Sequence, residues 1–347
     1  SITELFTYST LPLDLKNSNN NLVVTTQNNV YVYDENFSLL STANIVPEFD
    51  AEFTSAVTTN EGLYIGTTGF GVLRSTINNA SSYTEIHPNG PLRNDVFSVE
   101  AGFSNVWATY GAYSLTYFPL NRRYGVSHLQ EDWFNIPYDS LQFTAFSLNY
   151  TSINPFKPQQ VFISSFQHGL LEIDNNEPVN LYNQLNSGLE SLIIPGNPNV
   201  VSIRMTGSTF DRSGLLWTLT GRVAKPLKSY DPNSGQWIGY DFSEIIPDPL
   251  NDEFGYSDIV IDANNTKWIG GYNYGLIGFN ENGGNQLLKF INDENIANLP
   301  SPLIRALAID KQSQLWIGTI KGLRVLYNTS NFFEDESVST SAIIILE

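Results

Sequence analysis

The pentapeptide Leu-Trp-Ile-Gly-Thr at residues 315–319, followed by Lys-Gly-Leu at residues 321–323, decides the fold of this chain. Near-copies stand at residues 267–271 and 63–67. Weaker copies are centred on Val23, Trp107, Phe162 and Trp217. The seven centres recur roughly every 49 residues, so seven units account for nearly all of the 347 residues.

A repeat of this length that contains only short strands is typical of a β-propeller. Each unit reads as four strands, A to D, with β-branched and aromatic residues alternating in period two. In the last unit, strand A falls at residues 303–309 and strand C at residues 323–327. The sequence therefore predicts an all-β, seven-bladed β-propeller of four-stranded blades, one domain over residues 1–347. We expect this domain to be a fragment of a longer chain.

The charge balance excludes several classes of partner. The chain has 17 basic and 35 acidic residues, for a net charge of −18, and such a field repels nucleic acid. Cysteine is absent, which excludes disulfides and thiolate metal sites. The sequence has no apolar run of about 18 residues. We therefore expect no nucleic-acid partner and no membrane span in this chain.

Three aspartates, Asp211, Asp262 and Asp310, each stand six residues before a tryptophan. A carboxylate at this position closes the A–B turn by accepting hydrogen bonds from the turn backbone. A calcium loop is the alternative, because residues 262–266 alternate oxygen donors. That stretch lacks the glycine and the bidentate glutamate of such loops, and the pattern favours a turn.

Enzymatic signals are weak. The three histidines, His87, His128 and His168, lie far apart, without the spacing of metal ligands. No Gly-x-Ser-x-Gly elbow occurs, whereas acidic pairs for glycoside chemistry stay open among so many carboxylates. We expect a non-enzymatic protein with no catalytic residue, no metal and no cofactor.

The segment at residues 308–323, with its Ala-Ile-Asp turn before Leu-Trp-Ile-Gly-Thr, resembles the two-component-regulator propeller repeat. The Leu-Pro-Ser lead-in at residues 299–301 also matches that repeat. The match is strong in units six and seven, fair in unit two and eroded in the others. The resemblance implies a propeller of sensor or accessory type.

A second resemblance rests on units one and five. Asn-Val-Tyr-Val-Tyr-Asp at residues 29–34, and residues 211–217 with the Asp-Pro turn at residues 231–232, resemble the PorZ-like propellers of the type IX secretion system. This implies a module at the cell surface or in the periplasm that works with the sortase of that system. It also implies an association with anionic lipopolysaccharide, which on this acidic chain would require a local basic patch.

A ligand-binding face is predicted at the B–C turns, which a propeller repeat places on one side. Rings recur four and six residues after the anchor aromatics, as Phe70, Tyr113, Phe166, His168, Tyr272 and Tyr274. An exposed collar of rings would suit a sugar or an extended peptide. Arg222, Lys225 and Lys321 lie in corresponding turns and are the candidate basic contacts. The alternative is that the rings shield blade edges from water.

Two functions from different classes follow. One is a surface accessory component of type IX secretion that docks a sortase or a glycan. The other is the periplasmic, oligosaccharide-sensing propeller of a hybrid two-component system. Residues 2–8 are expected to supply the outer strand of the last blade, because an unpaired seam would expose sheet edges.

Overall fold

The computed structural model describes residues 6–46, 51–86, 88–111, 113–194, 196–197 and 199–343. Its strands form seven four-stranded antiparallel sheets, and each sheet pairs its strands in chain order. The prediction of a seven-bladed β-propeller with four-stranded blades is confirmed. The chain divides into two compact units, one of residues 1–95 with 131–133, the other of residues 96–130 with 134–347.

The first unit contains blades one and two. Their strands are β1 Pro12–Ser18, β2 Asn21–Thr26, β3 Asn29–Tyr33, β4 Leu39–Asn44, β5 Phe53–Thr59, β6 Gly62–Thr67, β7 Val72–Thr76 and β8 Asn79–Ile86. The core of this unit is aliphatic, and Val30, Leu63 and Ile65 are fully buried in it. Their neighbours Tyr31 and Tyr64, on the opposite face of β3 and β6, are half-buried, so both faces of these strands are largely removed from water.

Blades three to seven form the second unit. Their strands are β9 Ser98–Gly102, β10 Asn105–Thr109, β11 Val126–Leu129, β12 Trp133–Ile136 (whose first residue clusters with the first unit), β13 Leu148–Ile153, β14 Gln160–Ser165, β15 Gly169–Asp174, β16 Glu177–Tyr182, β17 Arg204–Phe210, β18 Leu216–Gly221, β19 Leu227–Asp231, β20 Gln236–Tyr240, β21 Tyr256–Ile261, β22 Lys267–Gly271, β23 Leu276–Asn280, β24 Leu287–Ile291, β25 Ile304–Ile309, β26 Leu315–Thr319, β27 Gly322–Leu326 and β28 Ser341–Ala342.

Helical structure is limited to short connections. The α-helix α1 spans Glu294–Ala297, and Asp293 caps it by accepting N–H bonds from Asn295 and Ile296. Short 3-10 turns lie at Tyr138–Ser140 and Asn282–Gly284. Within the described part of the chain, none of the helices has the length and apolarity to cross a membrane.

The predicted aspartate turns close the A–B connections of blades five, six and seven. In blade six, Oδ1 of Asp262 accepts the N–H groups of Asn264 and Thr266, both at 2.9 Å. Oδ2 of the same carboxylate accepts the indole N–H of Trp268 at 3.0 Å. The equivalent indole bonds, both 2.9 Å, join Asp211 to Trp217 and Asp310 to Trp316. The six-residue spacing therefore ties each turn to a core indole.

Blades five and six also share a buried cation. The ammonium of Lys267 lies 3.8 Å from the centroid of the Trp217 ring and 2.7 Å from a carboxylate oxygen of Glu281. Burial lowers the pKa of Lys267, and the bond to Glu281 opposes that shift. A cation removed from water needs both a paired anion and a polarisable neighbour, and Lys267 has each.

Strand A, the inner strand of each blade, contains a β-bulge in six of the seven blades: it has one extra residue opposite strand B. In blades five, six and seven the extra residue is Thr206, Ser257 or Arg305. A bulge of this kind bends the strand and re-aims the side chain next to it. Thr206 and Arg305 reach the centre of the second unit in this way, where they contact Tyr117 and Tyr272.

The expectation for the last outer strand was wrong. Ser341–Ala342 pairs with β27 and supplies the fourth strand of blade seven, because the chain turns back on β27 after a loop. Residues 2–5 of the expected strand lie outside the described residues. The following Phe6 stacks on Tyr33 of blade one, with ring centroids 4.1 Å apart.

Trp268→Ala should lower the free energy of unfolding by about 3–5 kcal/mol, because the ring is fully buried and packs on Phe332. Trp268→Phe should lower it less, about 1–3 kcal/mol, since it mainly leaves one oxygen of Asp262 unpaired. Trp316 is half-buried, so Trp316→Ala should be milder than Trp268→Ala. Chemical denaturation measures all three, and wild-type stability of Trp268→Ala would contradict this packing.

Candidate functional site

The connection between strands β10 and β11 of blade three carries a tyrosine into the centre of the second unit. Tyr117 has a positive φ of 63° and no exposed surface. A tight turn holds it, in which the N–H of Tyr117 donates to the carbonyl of Ser114 at 2.9 Å. The N–H of Phe118 donates to the Ser114 hydroxyl at 3.1 Å. The strained backbone is thus fixed by local hydrogen bonds.

The ring of Tyr117 is surrounded by rings from three blades. Its centroid lies 5.4 Å from Tyr113, 4.9 Å from Phe166 and 5.0 Å from Tyr272, all in edge-to-face contact. Tyr113 and Phe166 are themselves stacked at 4.5 Å. We call these four residues the aromatic plug. Aromatic edges and faces attract in this geometry, so the plug is a packed core.

Polar groups of blade five fix the plug from one side. A guanidinium nitrogen of Arg204 donates to the carbonyl of Tyr117 at 3.0 Å, and the Tyr117 hydroxyl lies 3.2 Å from that of Thr206. Arg204 is only 9% exposed, and its guanidinium lies about 6.0 Å from the ring of Phe166. Burial raises the pKa of Tyr117, which keeps its hydroxyl neutral.

Two glycines make room for the Tyr117 ring. A Cβ atom on Gly255 would lie 1.9 Å from the ring, and one on Gly221 would lie 2.7 Å from its hydroxyl oxygen. The first distance is far inside van der Waals contact, and the neighbouring ring is too tightly packed to shift. Glycine at position 255 is therefore a requirement of the plug.

A buried carboxylate holds the B–C turn of blade six. Glu253 is 1% exposed and accepts the main-chain N–H groups of Tyr272, Asn273 and Tyr274, each at 2.9 Å or 3.0 Å. Loss of water raises the pKa of Glu253, although these bonds favour its charged form. The turn that presents Tyr272 and Tyr274 is thus rigid.

The structure corrects the expectation of an exposed collar. Tyr113, Phe166 and Tyr272 are predicted site residues, yet Phe166 is fully buried and Tyr272 is 5% exposed. The reason is Tyr117, whose ring fills the space that a collar would have left to a ligand. Three predicted rings are therefore brought together, as a plug.

The other predicted rings lie apart from the plug. Phe70 belongs to the first unit and is 9% exposed. The guanidinium of Arg93 lies over its ring, 4.7 Å from the ring centroid. His168 is half-buried against Phe146, whose N–H donates to its Nδ1 at 3.2 Å. Tyr274 is half-buried, with its ring 5.2 Å from that of Phe290. Ligand binding by these residues stays a prediction.

The predicted basic residues remain partly or fully accessible. Arg222 is half-buried, and its Nε donates to the carbonyl of Leu250 at 3.0 Å. Lys225 is exposed and its stem packs over Gly239, while Lys321 is exposed in blade seven. Lys225 and Arg222 share one turn of blade five, so they are neighbours, and Lys321 lies two blades away.

A cavity of about 620 Å³, which we call the axial cavity, lies between the inner strands β9, β13, β17, β21 and β25 of the second unit. Its lining residues include Tyr150 and Asp258 on these strands. Phe156 and Arg212, which lie in A–B turns and are exposed, also line it. The ring of Phe97 contacts both Tyr113 of the plug, at 5.6 Å, and Tyr150 of the cavity wall, at 5.7 Å. The plug therefore lies next to the Tyr150 end of the cavity, and the mouth is at the A–B turns.

Two carboxylates stand in the cavity wall. Asp258 accepts the N–H groups of Ile259 and Leu307, both at 2.8 Å. Glu100 has no hydrogen-bond or ion-pair partner among the residues that the structure describes. Loss of water raises the pKa of both groups, and the charge of Asp258 raises that of Glu100 further.

Sequence reasoning missed the plug and the cavity. The strand pattern places Glu100, Tyr150 and Asp258 on inner strands, but it does not show which of them face one space. Tyr117 lies in an irregular connection where the repeat is eroded. Among the described residues, no group of three or more His, Cys, Asp or Glu side chains could hold a metal ion.

Tyr117→Ala should lower the free energy of unfolding by about 3–5 kcal/mol, since it empties the centre of the plug. Tyr117→Phe should lower it by about 1 kcal/mol, because it removes only the hydroxyl bonds. Thermal unfolding compares the two variants. Similar stability of Tyr117→Ala and wild type would contradict a packed plug.

Glu100→Gln should raise the melting temperature slightly at neutral pH, and the gain is small because Glu100 is exposed and water screens its charge. The raised pKa of Glu100 means that the folded state holds its proton more tightly than the unfolded state. Ionisation therefore destabilises the fold as pH rises above the ordinary carboxyl range, about pH 4. The gain should shrink toward that pH, where both states are protonated. Glu177→Gln, on the exposed outer strand β16, is the control and should show no such trend.

Comparison with known proteins bears out both resemblances at the level of the fold. Residues 298–321 match the family described as two component regulator propeller. No curated protein matches the chain by sequence. The structure of PorZ, an essential surface component of the type-IX secretion system of Porphyromonas gingivalis, superimposes with a TM-score of 0.70 at 18% identity. The match covers 93% of this chain and 44% of PorZ.

Two other propellers are less similar. The extracellular domain of the putative hybrid two component system BT4673 from B. thetaiotaomicron has a TM-score of 0.49 at 16% identity, covering 92% of this chain and 39% of that one. A streptogramin B lyase has a TM-score of 0.46 at 14% identity, covering 89% and 90%. These two likenesses support no conclusion about function. The chain thus has the fold of the PorZ propeller, spans less than half of PorZ, and carries a regulator propeller repeat in blade seven.

Proposed function

We propose that this chain is a non-enzymatic binding propeller at the cell surface or in the periplasm, an accessory of type IX secretion that docks a protein partner. The contact surface is the B–C side of the second unit. The observation that carries the proposal is the exposure of two apolar side chains in residues 114–118, which we call the plug segment: Leu115 is 74% exposed and Phe118 is 62% exposed.

The plug segment presents exposed apolar side chains on a rigid backbone, as the central residues of a protein interface do. Leu115 and Phe118 flank Tyr117, which is locked by the rings around it and by Arg204 beneath it. Large apolar side chains on a rigid backbone lose little conformational entropy when a partner covers them. An aromatic residue in such a position is a common hot spot of protein interfaces.

Charge supports the same surface. The chain carries a net charge of −18, yet Arg222 and Lys225 stand together on the B–C side of blade five, and Lys321 on that of blade seven. A basic rim on an acidic protein steers an acidic partner, or an anionic glycan, to one face. Tyr274 is the half-buried ring of the predicted set on this side.

The likeness to PorZ supports the secretion context. PorZ is a surface component of that system, and its propeller fold is shared over 93% of this chain. The resemblance seen in the sequence implies the sortase of the system as the partner. Docking of the sortase on the B–C side is our proposal for this chain.

The second candidate function is an oligosaccharide-sensing propeller of a two-component system. The axial cavity favours it, because a concave space of about 620 Å³ with polar and aromatic walls suits a small ligand. In that case the ligand would enter at the A–B turns, on the side away from the plug.

Replacement of Leu115 and Phe118 by serine should weaken sortase binding at least about tenfold, because it removes the apolar anchors. Biolayer interferometry with the sortase of the same organism measures the affinity. The matched control replaces Val179 and Ile238, 49% and 47% exposed on outer strands, by serine and should bind like wild type. Failure of the wild-type chain to bind the sortase would refute the proposed docking, and turnover of an offered oligosaccharide would refute the non-enzymatic role.

A further inference from the structure

The axial cavity has two carboxylates in its wall, the exposed Glu100 and the half-buried Asp258. It lies between the inner strands of five blades, and its volume of about 620 Å³ is typical of small-molecule sites. Neither the plug residues nor Leu115 and Phe118 line the cavity, so its occupant is distinct from a docked protein. The ligand proposed for it rests on the second candidate function and narrows the oligosaccharide to one class of sugar.

The charge of the wall selects a cation. Glu100 has no partner among the described residues, and Asp258 has only the two main-chain N–H bonds from Ile259 and Leu307. The basic residue that lines the cavity, Arg212, stands in an A–B turn at the mouth. Two carboxylates in a recessed wall repel an anionic ligand and stabilise a protonated amine that enters between them.

The wall also carries hydroxyl groups that suit a hydroxylated ligand. The residues that supply them are Thr151, Ser152, Ser208 and Thr209, of which Ser208 and Thr209 are half-buried. A ligand hydroxyl can exchange hydrogen bonds with such side chains. The neighbouring hydroxyl groups of Ser152 and Ser208 are 2.6 Å apart and bond to each other.

The mouth of the cavity carries an aromatic ring. Phe156 is 66% exposed, and a Cβ atom on Gly214 of the next blade would lie 3.0 Å from its ring. The ring is thus held in place by the turn of blade five while its other face stays open. An exposed, positioned ring at the entrance of a polar cavity is suited to stacking on the apolar face of a sugar.

We propose that the axial cavity binds an amino sugar, with its protonated amine between Glu100 and Asp258 and a sugar ring against Phe156. The amine forms charge-assisted hydrogen bonds to the two carboxylates. A ligand hydroxyl bonds the hydroxyl of Ser208. Sugars that carry carboxylates or sulfates are excluded by the same wall.

Isothermal titration calorimetry with two trisaccharides tests the proposal. Fully deacetylated chitotriose has three amines, and its N-acetylated form has the same rings without the charge. Chitotriose should bind at least about tenfold more tightly than the acetylated form. Glu100→Gln should remove that preference, and Phe156→Ser should weaken both sugars. Melting temperatures verify that each variant is folded.

Three results would overturn the assignment. They are equal affinity for the two trisaccharides, no binding of chitotriose at millimolar concentration, or unchanged affinity in Glu100→Gln. Trilysine that binds as tightly as chitotriose would make the occupant a basic peptide and refute the sugar. The variant with serine at positions 115 and 118 should bind chitotriose like wild type, so loss of docking and loss of sugar binding are separate outcomes.

Discussion

In each of three blades, one aspartate carboxylate joins the A–B turn to the indole of a tryptophan, and the rest of the fold depends on this contact. In blade six, Asp262 accepts two turn N–H groups with one oxygen and the indole N–H of Trp268 with the other. The turn fixes where strand B begins, and the indole fixes the depth at which blades pack. Trp107 lacks such an aspartate, and its indole N–H has no partner among the described residues. The indole bond is therefore found in blades five, six and seven, where an aspartate stands six residues before the tryptophan.

The inner strands of the second unit leave a space between them, and the plug lies at one end of it. Tyr117 enters from an irregular connection, and Gly255 and Gly221 give its ring room. Bulges in the inner strands turn Thr206 and Arg305 toward the plug. One end therefore becomes a packed surface with exposed Leu115 and Phe118, while the other stays a cavity. The two ends are suited to different partners, a protein and a small ligand.

Electrostatics separates these ends as well. The cavity wall holds Glu100 and Asp258, whose pKa values are raised by loss of water. The B–C side holds Arg204, which is buried under the plug, and Arg222 beside it. Charges that destabilise the fold persist where they face a space that a ligand can enter, a common property of binding sites.

The sequence by itself determined the seven-bladed propeller, because spacing and strand alternation are local properties that repeat along the chain. It also determined the aspartate turns, since Asp262 and its equivalents bond within six residues. Only the tertiary structure decided the site. Tyr117 meets Tyr256 across 139 positions, and Asp258 meets Leu307 across 49. Such contacts depend on how blades pack side by side, so residues in the B–C turns of different blades lie in different surroundings: Phe166 is buried, Tyr274 half-buried and Lys321 exposed.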